Sequence, residues 1–138
     1  MWEAVRDLDR SRVALKLLQP EVRNSREEVQ YLKHEYAVGE ALHHPNVIEV
    51  YDFSIDREIA FLVMEFHPGK NVKMLIRTGL DTFAFMTQKI IINSARGLEY
   101  FHEQGWVHRD IKPDNFLVTE DGEVKLIDFA LAVKQKTG

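Results

Sequence analysis

The chain has 138 residues, a length that suits one domain, and its 45% apolar and 29% charged residues are typical of an ordinary globular protein. A net charge of −4 gives no reason to expect binding to nucleic acid or to an anionic membrane, and the absence of cysteine excludes disulfides and cysteine-based zinc sites. The longest apolar run, residues 59–64, is far shorter than the ~20 residues of a membrane helix, and the N-terminus does not resemble a signal peptide. We therefore expect a cytoplasmic domain.

Three strands are predicted in the first half of the chain. The apolar run 13–18, interrupted by one lysine and stopped by Pro20, predicts a strand that is buried on both faces. Its lysine, Lys16, would be a buried charge and therefore needs a partner. Two further strands are predicted at 47–53 and 59–66, and a Pro-Gly step ends the second of them.

One helix is predicted between the first two strands. Ser25 and Glu28 form a capping box that begins the helix, and the step from His44 to the following proline ends it. Glu35 lies in the middle of the mostly apolar face of this helix. A carboxylate in that position is unfavourable unless it finds a cation.

The second half of the chain is led by helices. A short helix near 72–76 precedes a long helix at about 81–104, whose apolar residues recur at helical spacing and which Gly105 ends. Two short strands, 116–119 and 124–127, then flank an Asp-Gly hairpin turn.

The most informative segment is 108–115, which reads His-Arg-Asp-Ile-Lys-Pro-Asp-Asn and holds five charged or ionisable side chains. It is predicted to be a loop between a helix and a strand, where rigid elements can hold catalytic groups. Asp128 closes the next apolar strand, thirteen residues after Asn115. Asp110, Asn115 and Asp128 carry the hard oxygen atoms that hold magnesium beside phosphates or accept protons.

This segment resembles the catalytic loop of the eukaryotic-type (Hanks-type) Ser/Thr protein kinases, and Asp128 with Phe129 resembles their metal-binding motif. The resemblance implies an α+β, bilobal protein-kinase-like fold and transfer of a phosphoryl group from Mg-ATP to a Ser/Thr hydroxyl of a protein substrate. It also implies that Asp110 accepts the substrate proton, that Lys112 steadies the transferred phosphate, and that Asn115 and Asp128 hold Mg²⁺. A lysine at position 112 is typical of the Ser/Thr type.

The resemblance also extends to the ATP-binding residues. Residues 13–16, Val-Ala-Leu-Lys, resemble the strand that carries the ATP lysine, and Glu35 stands where the family places its helix glutamate. Lys16 and Glu35 are therefore expected to be each other's partner. Met64 would guard the back of the nucleotide pocket. Four further residues would contact adenine, two through the backbone hinge and two from above and below the ring: Glu65, His67, Ala14 and Leu117.

The resemblance covers essentially the whole chain and matches the middle of the family's domain. It implies a partial kinase domain over 1–138, with an N-lobe portion over 1–66, a hinge over 67–70 and a C-lobe portion over 71–138. The family's glycine-rich phosphate loop and its last helices have no counterpart here, so we expect a chain that is truncated at both ends and impaired in activity.

Two other interpretations stay open at this point. One is a pseudokinase-like fragment that binds nucleotide or serves as a protein-interaction module, and the other is a piece that does not fold alone.

Two residues depart from the family's pattern. Ala130 replaces the glycine of the metal motif and restricts the backbone there, and Gly39 replaces a bulky residue of the packed column to which His108 and Phe129 would belong. We expect a gap at Gly39.

Overall fold

A four-stranded antiparallel sheet and one helix form the first half of the computed structural model, which describes residues 2–5, 11–78 and 80–136. The strand order is β1-β2-β4-β3, and helix α1 (Arg26–Gly39) packs on this sheet. Central strands β2 and β4 pair in a register that sets Ala14 opposite Met64. The strands are β1 (Trp2–Val5), β2 (Arg12–Leu17), β3 (Val50–Asp56) and β4 (Ile59–Glu65).

The strand β2 is less buried than the sequence predicted. Val13 and Ala14 are buried, whereas residues 15–17 are partly exposed. The prediction of a strand buried on both faces was therefore wrong for its second half. The partly exposed half includes Lys16, whose side chain reaches the cleft described below.

Helix α1 begins where the sequence predicted and ends earlier. The hydroxyl of Ser25 accepts a hydrogen bond from the backbone N–H of Glu28 at 3.3 Å, which confirms the predicted N-cap. The helix ends at Gly39 and not near His44, because the N–H of Leu42 bonds to the carbonyl of Gly39 and tightens the chain into a turn.

The segment 46–48 lies beside the second sheet and not in the first one. The N–H of Ile48 donates to the carbonyl of Leu126 at 3.0 Å, and the N–H of Leu126 donates to the carbonyl of Asn46 at 2.8 Å. The strand predicted to begin at residue 47 therefore begins at Val50. These two backbone hydrogen bonds join the first half of the chain to the second half.

The second half combines two helices with two small sheets. Helix α2 (Val72–Thr78) precedes the long helix α3 (Leu80–Glu103), which Gly105 follows with a φ of +89°. A single 3-10 turn, Pro113–Asn115, completes the loop after α3. One sheet has the order β5-β7-β8, and the other pairs β6 with β9. The strands are β5 (Lys70–Asn71), β6 (Trp106–Val107), β7 (Phe116–Val118), β8 (Val124–Leu126) and β9 (Val133–Lys134).

Among the described residues, no helix has both the length and the apolar character needed to cross a membrane. The predicted helices and the predicted hairpin of the second half are confirmed, with ends that differ by one or two residues. Strands β5, β6 and β9 were not predicted, since each has only two residues and therefore no periodicity to recognise.

A column of three buried rings lies behind the cleft. The ring of Phe101 is 5.5 Å from that of His108 and 5.6 Å from that of Phe129, centre to centre. Gly39 faces this column, and a Cβ atom built there would lie 2.6 Å from Val50 Cγ2 and 3.1 Å from Phe129 Cε2. The expected gap at Gly39 is therefore wrong, because Val50 and Phe129 already occupy the space of the missing side chain.

Candidate active site

A buried carboxylate and a partly exposed ammonium meet between β2 and α1. The Nζ atom of Lys16 lies 3.0 Å from Oε1 and 2.9 Å from Oε2 of Glu35. Glu35 is 1% exposed and Lys16 is 30% exposed at the side chain. The partnership that the sequence predicted for these two charges is therefore present in the structure.

The two charges alter each other's protonation. Burial disfavours the charged form of Lys16, but the carboxylates of Glu35 and Asp128 outweigh it and raise the pKa of Lys16 above its ordinary value. Burial raises the pKa of Glu35, and the neighbouring ammonium offsets part of this effect. Lys16 thus stays charged at neutral pH, which a phosphate-binding ammonium requires.

Asp128 follows β8 and points toward the same lysine. Its Oδ2 atom lies 3.7 Å from Lys16 Nζ, and its Oδ1 atom accepts a hydrogen bond from the N–H of Ala130 at 3.2 Å. Asp128 has a φ of +64°, which a residue other than glycine adopts only when its surroundings hold it there. The φ of Ala130 is not positive. The backbone at position 130 therefore does not require the glycine that the family's motif has there.

The loop after α3 is ordered by its own hydrogen bonds. The N–H of Asp110 donates to Nδ1 of His108 at 3.2 Å. The side-chain nitrogen of Asn115 donates to the carbonyl of Asp110 at 2.6 Å and to its Oδ2 atom at 3.3 Å. The ammonium of Lys112 lies 3.6 Å from Oδ1 of Asp110. Three predicted site residues, Asp110, Lys112 and Asn115, are therefore neighbours in space as well as in sequence.

A cleft of about 280 Å³ brings together side chains from both halves of the molecule. The N–H of Ile127 donates to the carbonyl of Asn115 at 2.8 Å, so a backbone bond sets Asn115 next to the end of β8, which Asp128 follows. Five of the predicted site residues line the cleft: Lys16, Glu35, Met64, Asn115 and Asp128. Three lining residues had no predicted role: Leu17, Asp114 and Ile127.

Comparison with known proteins agrees with this arrangement. The model of the protein kinase domain family matches residues 1–138. The chain belongs to the protein kinase domain family.

Several curated relatives are serine/threonine kinases by name. A probable serine/threonine-protein kinase of Clostridium perfringens is 39% identical over 120 residues, which are 87% of this chain and 18% of that protein. The serine/threonine-protein kinase PknA of Mycobacterium tuberculosis is 33% identical over 138 residues, covering 96% of this chain and 32% of that protein. A MAP kinase kinase kinase of Saccharomyces cerevisiae is 36% identical over 103 residues, covering 75% of this chain and 6% of that protein. The chain thus spans less than a third of each relative's length.

Of the five residues predicted around the adenine of the nucleotide, one lines the cleft of this kinase domain. Met64 lines the cleft, whereas the other four do not: Ala14, Glu65, His67 and Leu117. Ala14 is opposite Met64 in the sheet and is buried. Leu117 is in β7, opposite Lys125.

The side chain of Glu65 binds the second half of the kinase domain. Its Oε2 atom lies 3.0 Å from Nζ of Lys125 in β8, and its Oε1 atom accepts the N–H of Glu49 at 3.1 Å. The ring of His67 lies 3.2 Å from the carbonyl of Glu123, and burial lowers the pKa of this histidine. Sequence reasoning missed Lys125, because a lysine in a short alternating strand has no local signal of an ion pair with a residue sixty positions away.

The chemistry of the cleft suits a magnesium ion beside phosphates. Asp128 offers a carboxylate, and Asn115 offers an amide oxygen, since its amide nitrogen already donates to Asp110. Magnesium prefers such oxygen ligands and keeps several waters or phosphate oxygens in its shell, so few protein ligands suffice. Lys16 adds a cation for the phosphates on the same cleft wall as Glu35.

Proposed function

We propose that the protein transfers the terminal phosphoryl group of Mg-ATP to a serine or threonine hydroxyl of a protein substrate. The observation that carries the proposal is the meeting of Lys16, Asn115 and Asp128 on one cleft, with Asp110 bonded to Asn115 at its edge. The names of the relatives and a lysine at position 112 support the serine/threonine class.

In this proposal, the protein mainly positions reactants and balances charge. Lys16, held by Glu35, binds phosphate oxygens. Asp110 accepts the proton of the substrate hydroxyl as the hydroxyl oxygen attacks the terminal phosphorus, and the bond from this phosphorus to the bridging oxygen breaks to release ADP. Lys112, beside Asp110, neutralises charge on the transferred group. A magnesium ion held by Asn115 and Asp128 supplies further positive charge against the phosphates.

The position of the cleft, which has side chains from both halves of the chain, supports the proposed domain organisation. Residues 1–66 and 71–138 would form the two lobes around it, with 67–70 as the hinge. Adenine would lie against Met64 and the backbone of Glu65 and His67, between Ala14 and Leu117. The backbone of both residues already bonds within the protein, since the N–H of Glu65 donates to the carbonyl of Glu49 and the carbonyl of His67 accepts the N–H of Gly69, each at 2.8 Å. Recognition of adenine would therefore use other backbone groups of these residues, and it stays a proposal of its own.

Titration of the purified protein with ATP, with and without Mg²⁺, tests the site. We expect Mg²⁺ to tighten binding, and Lys16→Met to weaken Mg-ATP binding about tenfold or more, because a charged hydrogen-bond donor is lost. Asp128→Ala should remove the effect of Mg²⁺. Lys33→Met is the matched control, since Lys33 is an exposed residue of α1 outside the cleft. Equal binding by all four proteins would show that the proposed site is wrong.

Transfer of radiolabelled phosphate to a generic protein substrate tests the reaction itself. Phosphoserine and phosphothreonine in the product support the proposal. Binding of Mg-ATP without any transfer would favour the pseudokinase-like alternative, in which the domain binds nucleotide and serves as an interaction module.

A further inference from the structure

Two consecutive side chains of α1 hold the turn that begins within the metal motif, directly after Asp128. Residues 129–132 form this turn, which the N–H of Ala132 closes by bonding to the carbonyl of Phe129 at 3.1 Å. The N–H of Phe129 donates to Oε1 of Glu35 at 3.3 Å. At the other end of the turn, the carbonyl of Ala132 lies 2.6 Å from Nε2 of His34.

We propose that His34 is a positioning residue that, together with Glu35, fixes Asp128 relative to α1. The inference rests on the proposed function, since it concerns the residue that would hold magnesium. Asp128 immediately precedes the clamped turn, so movement of the turn changes where its carboxylate points. Clamping at one end alone, by Glu35, would leave the turn free to pivot about Phe129.

The contact between His34 and Ala132 has a defined chemistry. A backbone carbonyl only accepts hydrogen bonds, so Nε2 of His34 carries the hydrogen and donates it. Ala132 is 1% exposed. Without the histidine, the carbonyl of this buried residue loses its side-chain donor, and an unpaired buried carbonyl is unfavourable.

The ring of His34 is itself held in place. Its edge packs against Trp106 in β6, with ring centres 6.3 Å apart and an angle of 78° between the planes. The ammonium of Lys134 in β9 lies 4.6 Å from the centre of the same indole. Because Trp106 and Lys134 are paired between the two strands, the segment after the metal motif and the support of His34 belong to one small sheet.

Helical geometry explains why two neighbours can act together. Consecutive residues of a helix point about 100° apart, so Glu35 reaches into the cleft while His34 reaches along the side of α1 toward the turn. A shift of α1 away from the second half would therefore break both bonds at once. The structure thus links the position of α1, the Lys16–Glu35 pair and the carboxylate of Asp128.

Three proteins test the proposal: wild type, His34→Phe and His34→Gln. Phenylalanine keeps a ring against Trp106 but cannot donate, whereas glutamine can place a side-chain N–H near the same carbonyl. We expect amide hydrogen exchange of Phe129 and Ala132, measured by NMR, to accelerate about threefold to tenfold in His34→Phe. His34→Gln should restore slow exchange. The gain in ATP affinity on adding Mg²⁺ should fall by a similar factor in His34→Phe and recover in His34→Gln.

The outcomes separate the inference from the proposed function. Equal exchange in wild type and His34→Phe would overturn the clamp. Equally accelerated exchange in both variants would also overturn it, because it would show a role for the imidazole shape and not for the donated hydrogen bond. If wild type does not bind Mg-ATP, the proposed function fails, while the exchange rates still decide whether His34 holds the turn.

Discussion

Two ion pairs contain predicted site residues and are built differently. Lys16 contacts both oxygens of Glu35 within 3.0 Å, and Glu35 is buried. Lys112 lies 3.6 Å from one oxygen of Asp110, and the two side chains are 51% and 27% exposed. The first pair is short and its carboxylate is shielded from water, whereas both members of the second, longer pair are at least partly exposed to water.

In the proposed mechanism, the difference separates charges that position from charges that react. Glu35 has both oxygens engaged with protein donors before any ligand arrives, so it can orient Lys16 but has little capacity left for a substrate. Asp110 is held mainly through its backbone, by the bond from Asn115 to its carbonyl. Its carboxylate is therefore in a fixed place yet accessible, as a proton acceptor must be.

The largest effect is expected from removing the reactive charge. Asp110→Asn should lower the rate of phosphoryl transfer by about 10²–10⁴-fold, the usual contribution of a general base. It should leave the unfolding temperature and the affinity for Mg-ATP nearly unchanged, because the bond from Asn115 to the backbone carbonyl at position 110 is retained. A transfer assay and a thermal unfolding experiment on the same protein measure both quantities.

Asp121→Asn is the control for this change. Asp121 is an exposed residue of the turn between β7 and β8, and its substitution makes the same chemical change away from the cleft. We expect its transfer rate to equal that of wild type. A comparable loss of rate in both variants, or a large loss of stability in Asp110→Asn, would contradict the distinction between the two ion pairs.

The next largest effect is expected on stability, from the positioning pair. Glu35→Ala leaves Lys16 without its main partner and removes an acceptor from Phe129, so the free energy of unfolding should fall by about 3 kcal/mol. Denaturant unfolding measures the change. Glu35→Gln keeps the shape of the side chain and one acceptor oxygen but removes the buried charge. Its free energy of unfolding should therefore fall by less than that of Glu35→Ala.

Glu27→Ala provides the comparison on the same helix. Glu27 is exposed in the first turn of α1, and within the described residues its side chain accepts a hydrogen bond from the exposed hydroxyl of Tyr31. Its removal should therefore change the free energy of unfolding by less than about 1 kcal/mol. Similar losses for Glu35→Ala and Glu27→Ala would show that burial does not distinguish the two carboxylates.

The sequence predicted the positioning pair because two local patterns conflicted with burial. A lysine within an apolar strand and a glutamate within an apolar helix face each needed a partner, and the resemblance to the kinase family implied that they pair with each other. The loop at 108–115 could be recognised for another reason, since its charged residues stand at fixed spacing within one short segment. The two charges in need of a partner and the loop motif are each visible in a short segment, whereas the pairing of Lys16 with Glu35 was implied by the family resemblance.

Features made by distant contacts could not be predicted in this way. The space at Gly39 is filled by Val50 and by a ring ninety residues away, and neither is visible in the helix pattern. The early end of α1 follows from a turn at Leu42, whereas the sequence pattern continues to the proline. The clamp on Ala132 joins residues 98 positions apart, and no periodicity indicates such a pair.

The smallest effect is expected from pH, through the ring column behind the cleft. Burial lowers the pKa of His108 below its ordinary value of 6.5, so the unfolded chain binds a proton more readily than the folded one does. The free energy of unfolding should therefore fall as pH drops below about 6.5, and not change through this group above it. Burial also lowers the pKa of His67, so this residue should likewise decrease the free energy of unfolding as the pH drops.

His108→Phe separates the two histidines. It keeps a ring between Phe101 and Phe129 and removes one titrating group, so the decline of stability between about pH 7.5 and 5.5 should become shallower. His67→Gln should reduce the decline independently, because the two rings lie in different parts of the fold and share no contact in the described residues. An unchanged pH dependence in His108→Phe would show that the folded column accepts a proton on its histidine as readily as the unfolded chain does, which would contradict the desolvation of that ring.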